Sequence, residues 1–333
     1  MKTNLNKAAV LGAGSWGTAL AIVLSEHFKD IVLIGRSPEQ ADEINTQHTN
    51  SKYLTKVSIP HNIRCSTDLS EAKTAEIILF TIPTSATRET SRQLAEIGIP
   101  NTIPLISCAK GIERGTGTRM SNIIFETLPN NPIAVISGPN HAEEVAENLA
   151  TCTVVGSIDK KLTSNLQKVF STANFRTYTS QDVAGMELGG ALKNVFAIAA
   201  GIASGIGLGD NAIAALVTRG LAEMTRLGIA LGGQPDTFMG LSGMGDLMTT
   251  CYSPHSRNNR VGKALGEGLS LQEACDQLGM VAEGVPNTLS IYEAARETNI
   301  ETPILDAVYQ VLYQDKSAKQ ALHELLTRDP KAE

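Results

Sequence analysis

From Leu188 to Gly209 the sequence carries one charged residue, Lys193. A lysine buried among apolar residues without a partner is costly, and burial lowers its pKa toward the range useful for proton transfer. A carbonyl that receives hydride needs a proton donor, and the reverse reaction needs a base for the alcohol. Lys193 is the candidate for both roles. The plainer alternative is a lysine near a helix start whose ammonium snorkels to solvent. A second group lies in LSGMGDLMTTCYSPHSRNNRVGKAL, where glycine-flanked Asp246 precedes Ser256, Arg257 and Asn258 in what reads as a polar loop. Arg257 offers a planar fork of donors suited to phosphate, with Ser256 and Asn258 adding hydrogen bonds. Asp246 would either hold the Lys193 ammonium or bind a substrate hydroxyl. The alternative here is a solvated loop, with Arg260 and Lys263 equally able to supply charge.

The N-terminal segment AAVLGAGSWGTALA sets Gly12, Gly14 and Gly17 in G-x-G-x-x-G spacing between a short apolar run and a helical pattern. That context suits a dinucleotide pyrophosphate. Gly12 permits the tight turn, Gly14 the approach of the ligand, and Gly17 close helix–strand packing. Backbone N–H groups around Ser15 and Trp16 would face the anion at the helix start; a merely structural glycine turn is the alternative. About 20 residues on, IVLIGRSPE places Gly35 where an NAD-selective site usually has a carboxylate, and Arg36 follows. Arg36 suits a 2′-phosphate, so NADP(H) is expected to be accepted and preferred, with NAD(H) also usable; stacking on adenine or simple solvation is the other role for this arginine. Two further turns follow apolar runs. SCAKGIE aims Lys110 toward the cofactor cleft, unless it is a surface lysine in a turn. SGPNHAEEVAE offers Gly138 and opens a helix near Asn140, suiting a polar substrate or the nicotinamide amide, unless it is an ordinary Gly-Pro turn with an Asn cap.

The elements that must position these residues change character along the chain. Short β-branched runs at 8–11, 31–34, 77–82, 103–107, 133–137 and 151–155 alternate with helical spacing at 16–28, 87–97 and 119–128. Such alternation predicts βαβ units and a parallel sheet covered on both faces. After about Val183 the strand signal fades, and helical segments are expected at 186–204, 212–227, 271–278, 288–298 and 304–326. The expected fold class is therefore α/β: a Rossmann-like doubly wound sheet over residues 1–185, binding dinucleotide, and an all-helical domain over 186–333, binding substrate and carrying catalysis. A net charge of −6 gives no reason to expect nucleic acid or an acidic membrane as partner. The 22-residue apolar stretch around Lys193 is broken by glycines and reads as a buried helix rather than a span, so no stable membrane association is expected. Five scattered cysteines without metal spacing suggest reduced thiols in a cytoplasmic protein and no metal, and the N-terminus lacks a secretory layout.

Taken in order, LGAGSWGTALA, CAKGIE, SGPNHAEEVA, GALKN, GMGDLMTTC…SRN and VAEGV resemble bacterial NAD(P)-dependent glycerol-3-phosphate dehydrogenase over nearly the whole chain. The combination is far more specific than any one motif. The resemblance implies hydride transfer between NAD(P)H and dihydroxyacetone phosphate, supplying glycerol 3-phosphate for phospholipid synthesis. It implies Lys193 as the proton-transferring residue, and substrate contacts from Lys110, Gly138, Asn140, Lys193, Asp246, Ser256, Arg257 and Asn258. Cofactor contacts are implied for Ser15, Trp16, Arg36, Ala142, Val281 and Glu283, with Lys110 and Arg257 touching both ligands. Two departures stand out: Asn140 occupies a position where the family commonly has Ser or Thr, and YLTK at Tyr53–Lys56 lacks the Pro and Gly of a YLPG pattern. Only the family, and nothing at residue level, points to a homodimer. The nearest rival is a β-hydroxyacid dehydrogenase with Lys-x-x-x-Asn, but Ala197 stands where that Asn would be. A non-enzymatic redox sensor is a further alternative, which leaves Lys193 unexplained.

Overall fold

The computed structural model describes residues 5–279 and 281–329; the outermost ends of both expected domains, and Met280, lie outside the described residues. The chain divides into two compact units. One runs to Lys110 and resumes over Thr118–Glu187; the other comprises Gly111–Gly117 and the chain from Leu188.

The first unit is built on an eight-stranded sheet. Its strands are β1 (Leu5–Leu11), β2 (Phe28–Ile34), β3 (Ile63–Ser66), β4 (Ile77–Phe80), β5 (Leu105–Ser107), β6 (Ile133–Ser137), β7 (Thr151–Gly156) and β8 (Phe175–Ser180). The order is β3-β2-β1-β4-β5-β6-β7-β8. Near-continuous apolar strands suit burial on both faces. Ala8, Val10, Ile31 and Leu33 enter one core cluster, whereas Ala9, Leu11, Val32 and Phe80 enter another. Each fully buried Val, Leu, Ile or Phe among them stabilises by roughly 1.5–3 kcal/mol before entropy is charged against it.

The structure departs from the sequence expectation in three respects here. The sheet is not wholly parallel, because β7 runs antiparallel to β6 and β8 pairs parallel with β7. Two strands escaped notice: β3 is four residues with polar Arg64 and Ser66, and β8 reads FRTYTS with Arg176 and Tyr178 outward. Both lie at the ends of the sheet order, where burial does not demand a continuous apolar run. Finally, the expected helix 16–28 ends at Leu24, and Phe28 opens β2.

From Leu188 onward all regular structure among the described residues is helical. The long helix Val183–Ile206 is the one described helix apolar and long enough to cross a membrane, yet 78% of its apolar window is buried inside the protein. The helix Asp210–Ala230 follows, and the expected single helix 304–326 is two, Pro303–Tyr313 and Ala318–Leu326. Asp315, with φ +54, turns the chain between them. The segment read as a polar loop is also mostly helical: a π-turn Leu241–Gly245, then helices Asp246–Tyr252 and Arg257–Gly266. Its polar composition hid a period that packing enforces. Glycines explain how tightly these helices meet. A Cβ at Gly201 would fall 2.1 Å from Asn259 O, and one at Gly262 2.1 Å from Ile198 O. Gly205 and Gly266 meet one turn further on, each Cβ 2.9 Å from the other's Cα. Val183–Ile206 and Arg257–Gly266 thus cross main chain against main chain.

Candidate active site

In the first unit the glycine-rich turn has three glycines with three different reasons to be glycine. Gly12 sits at φ +109, a region L side chains rarely adopt. A Cβ at Gly17 would lie 2.0 Å from Gly12 O, so only hydrogen lets the helix Ser15–Leu24 pack on the strand end. Gly14 instead faces open space among the described residues. No side chain caps this helix start, and Trp16 Nε1 is buried without a hydrogen-bond partner. An open glycine and uncapped N–H groups fit a pyrophosphate at a helix N-terminus.

Residues that sequence reasoning passed over hold this turn from behind. Ala13 O accepts from Gln40 Nε2 at 2.6 Å and from Asn50 Nδ2 at 3.0 Å. Asn50, fully buried, also donates to Thr18 Oγ1 at 2.9 Å. Thr81 Oγ1 donates to Leu11 O at 2.8 Å, and Ser15 Oγ donates to Tyr53 O at 3.2 Å, which seats the YLTK segment on the turn. No local spacing announces these contacts, since each partner comes from a different element. Arg36 is exposed just past the end of β2. Close behind it, Glu39 accepts from Ser37 Oγ at 2.6 Å, and that hydrogen bond holds its carboxyl below the usual range. A carboxylate therefore stands four residues beyond Gly35, in the first turn of the helix Pro38–Gln47.

At the ends of β5 and β6, Lys110 Nζ donates to Gly138 O at 2.9 Å. Gly138 has φ +139, and a Cβ there would meet Thr153 Cα at 3.2 Å. Asn140 spends its amide on β7: Nδ2 donates to Cys152 O at 2.8 Å, and Oδ1 accepts from Thr153 Oγ1 at 3.1 Å. The structure therefore brings Lys110 and Gly138 together and turns Asn140 onto the neighbouring strand. The helix expected near Asn140 begins at Ala142.

In the helical unit, Lys193 is 5% exposed and lies mid-helix, so its ammonium does not snorkel to solvent. Nζ donates to Asp246 Oδ1 at 2.7 Å and to Thr250 Oγ1 at 2.5 Å. Asp246 and Thr250 occupy one face of the helix Asp246–Tyr252, an i,i+4 pair; Thr250 was missed because the segment read as a loop. Burial pushes the thiol of neighbouring Cys251 up to about 12, so it stays neutral beside this charge pair. Ser256 Oγ accepts from Asn259 N at 3.2 Å and caps the helix that Arg257 begins. Arg257 is exposed and donates from Nη1 to Val281 O at 2.9 Å. Asn258 donates to Asn194 Oδ1 at 2.9 Å, and its Oδ1 accepts from Gly284 N, the residue after Glu283. Ser256, Arg257 and Asn258 are thereby gathered at one helix start, joined by hydrogen bonds to the Lys193 helix and to the Val281–Gly284 segment.

A mostly parallel sheet with an open glycine turn, together with a buried lysine bonded to an aspartate, is the arrangement of a dinucleotide-dependent dehydrogenase. Comparison with known proteins narrows the class. Residues 7–163 match the NAD-dependent glycerol-3-phosphate dehydrogenase N-terminus family and residues 182–323 the corresponding C-terminus family. The chain is 46% identical over 331 residues to glycerol-3-phosphate dehydrogenase [NAD(P)+] of Enterococcus faecalis, covering 98% of this chain and 97% of that protein. To the same enzyme of a Thermoanaerobacter species it is 48% identical over 328 residues, covering 98% of each. The crystal structure of glycerol-3-phosphate dehydrogenase from Coxiella burnetii superposes with a TM-score of 0.93 at 37% identity, covering 97% of this chain and 99% of that one. The chain belongs to the NAD-dependent glycerol-3-phosphate dehydrogenase family.

Proposed function

We propose that this chain catalyses reversible hydride transfer between NAD(P)H and dihydroxyacetone phosphate, forming sn-glycerol 3-phosphate for phospholipid synthesis in the cytoplasm. The observation that carries the chemical part is the Lys193 ammonium held in the interior by Asp246 and Thr250. A buried cation with a carboxylate partner is charged and positioned before substrate arrives, and such groups supply general acid catalysis worth about 10²–10⁴ in rate. Lys193 donates its proton to the carbonyl oxygen in the reductive direction and takes it from the alcohol in the other. Asp246 keeps the ammonium form available and fixes its direction.

The remaining roles follow from chemistry. The first unit is the dinucleotide-binding one: Gly12, Gly14, Ser15, Trp16 and Gly17 hold the pyrophosphate, Arg36 the adenosine end, and Ala142 and Lys110 the reactive end. When bound, the nicotinamide cofactor supplies or accepts the hydride. The second unit binds substrate: Ser256, Arg257 and Asn258 present a helix start and a guanidinium to its phosphate, a combination that favours a dianion. Val281 and Glu283 complete the cofactor contacts with Arg257, and Gly138 and Lys110 those of the substrate. Asn140 contributes by holding the Gly138 turn, given that its amide is bound to β7. Arg36 just past β2 and Glu39 in the first turn of the helix Pro38–Gln47 support use of both NADPH and NADH. The assembly is proposed to be a homodimer on family grounds.

The test follows NADPH oxidation with dihydroxyacetone phosphate for the intact protein and for folded Lys193→Ala. Turnover that collapses by about 10²-fold or more in the variant supports both substrate and acid. Turnover that survives removes Lys193 as the acid. No turnover by the intact protein despite NADPH binding removes the substrate assignment.

A further inference from the structure

We infer that Gly189 is a positioning residue for the Lys193–Asp246 pair: its missing side chain lets the Ser242 carbonyl seat against the lysine helix and so sets Asp246 opposite the ammonium. The inference rests on Lys193 being the proton-transferring group.

The contacts step in register along the two segments. A Cβ built at Gly189 would lie 2.4 Å from Ser242 O and 3.1 Å from Ser242 C. Four residues further along both segments, Lys193 Nζ meets Asp246 Oδ1 at 2.7 Å. Residues four apart share a helix face, so these are successive rungs of one seam, and the rung before the ion pair is backbone. Ser242 belongs to the π-turn Leu241–Gly245, in which Gly245 N donates to Gly240 O at 3.1 Å. Such wide turns are uncommon inside helices and recur at functional sites. This one has no room to retreat, since a Cβ at Gly243 would fall 2.2 Å from Phe238 O. Phe238 is itself buried against Gly228, whose Cβ would meet the ring at 2.1 Å. A methyl at position 189 must therefore move Ser242, and with it the start of the helix that carries Asp246.

The expected consequence is electrostatic. Charged or titratable neighbours of the Lys193 ammonium from the facing helix are Asp246 and the neutral Cys251. Moving Asp246 away withdraws the negative charge that favours the ammonium, so the lysine holds its proton less tightly. Ketone reduction needs the ammonium and fails as pH rises through the lysine pKa; alcohol oxidation needs the free amine and fails as pH falls through it. Loss of alignment moves both limbs to lower pH, whereas general damage scales the rates without moving the limbs.

The experiment measures kcat against pH in both directions for the full chain, Gly189→Ala, Gly201→Ala and Lys193→Ala. Gly201 is equally crowded, with its Cβ 2.1 Å from Asn259 O, but faces the helix Arg257–Gly266 rather than the π-turn. Support is a fall of both limbs by about 1 pH unit or more in Gly189→Ala with no shift in Gly201→Ala. Unmoved limbs in folded Gly189→Ala, or an equal shift in Gly201→Ala, overturn the inference. If Gly189→Ala does not fold, Gly243→Ala crowds the same turn from its other side and must give the same shift. Failure of both to fold makes the contact a folding requirement and overturns its assignment to positioning. Wild-type rates and limbs in Lys193→Ala would instead sink the lysine assignment itself, whatever Gly189 does.

Discussion

Asn258 donates its amide hydrogen to Asn194 Oδ1 over 2.9 Å, tying the helix that Ser256 caps to the residue directly after Lys193. The other end of the same amide accepts from Gly284 N, so one side chain fixes three segments. Asn258→Ala withdraws a donor from Asn194 and an acceptor from a buried N–H, at about 1–3 kcal/mol for each group left unmet. We expect a lower denaturant midpoint and a raised KM for dihydroxyacetone phosphate. Asn258→Asp keeps the acceptor for Gly284 and should retain more stability than alanine does. Urea titrations of the two variants check the order.

Cofactor selectivity should respond to two residues of opposite sign. Arg36→Ala removes the charge suited to a 2′-phosphate and should lower kcat/KM with NADPH by about 10-fold or more, leaving NADH little changed. Glu39→Gln removes a carboxylate that Ser37 keeps ionised, and should improve NADPH relative to NADH. Steady-state constants with the two cofactors decide the matter; equal ratios in all three proteins would place the 2′-phosphate elsewhere.

Gly17→Ala tests the turn itself. Its methyl would lie 2.0 Å from Gly12 O and 2.5 Å from Thr81 Oγ1, and main chain has no cheap way to give. Loss of NADPH binding by fluorescence titration is expected, with retained helical content by circular dichroism. Gly14→Ala, facing open space, should fold normally and weaken binding only through the ligand.

Stability should carry a pH signature far from the chemistry. Glu223 is buried and accepts from the N–H groups of Ile304 and Leu305 at the start of the helix Pro303–Tyr313. Burial raises its pKa to about 7, against the pull of those two donors. A carboxyl whose folded pKa exceeds its unfolded value stabilises most below the unfolded value, near 4.5, and loses that contribution as pH rises toward about 7. The wild type should therefore lose on the order of 3 kcal/mol relative to Glu223→Gln between those limits. Melting temperatures of both proteins from pH 5 to 8 would show it, and parallel curves would refute it.

Much of this was legible in the chain. Apolar runs doubly buried in a parallel sheet read as strands because both faces demand the same residues. Strands β3 and β8 did not, because an edge leaves half of a strand free to be polar. Lys193 announced itself by isolation, and Asp246 reads as either its partner or a substrate contact; the 2.7 Å bond supplies the partner across 53 positions. Thr250, Asn50 and Gln40 gave no signal, since hydroxyls and amides gain meaning only from what tertiary packing brings to them. Asn140 shows the reverse: its type suggested a ligand contact, and its geometry binds β7.

The crossing of Val183–Ile206 with Arg257–Gly266 through Gly201, Gly205, Gly262 and Gly266 bears on how this protein can change over generations. Ordinary cores drift by trading volume between neighbouring side chains, one substitution compensating another. Here the contacts are main chain on main chain, so a methyl is accommodated only by moving a helix, not by trimming a neighbouring side chain. The two helices that carry Lys193 and Arg257 are thus pinned as a fixed bearing, while the surfaces around them remain free to diverge.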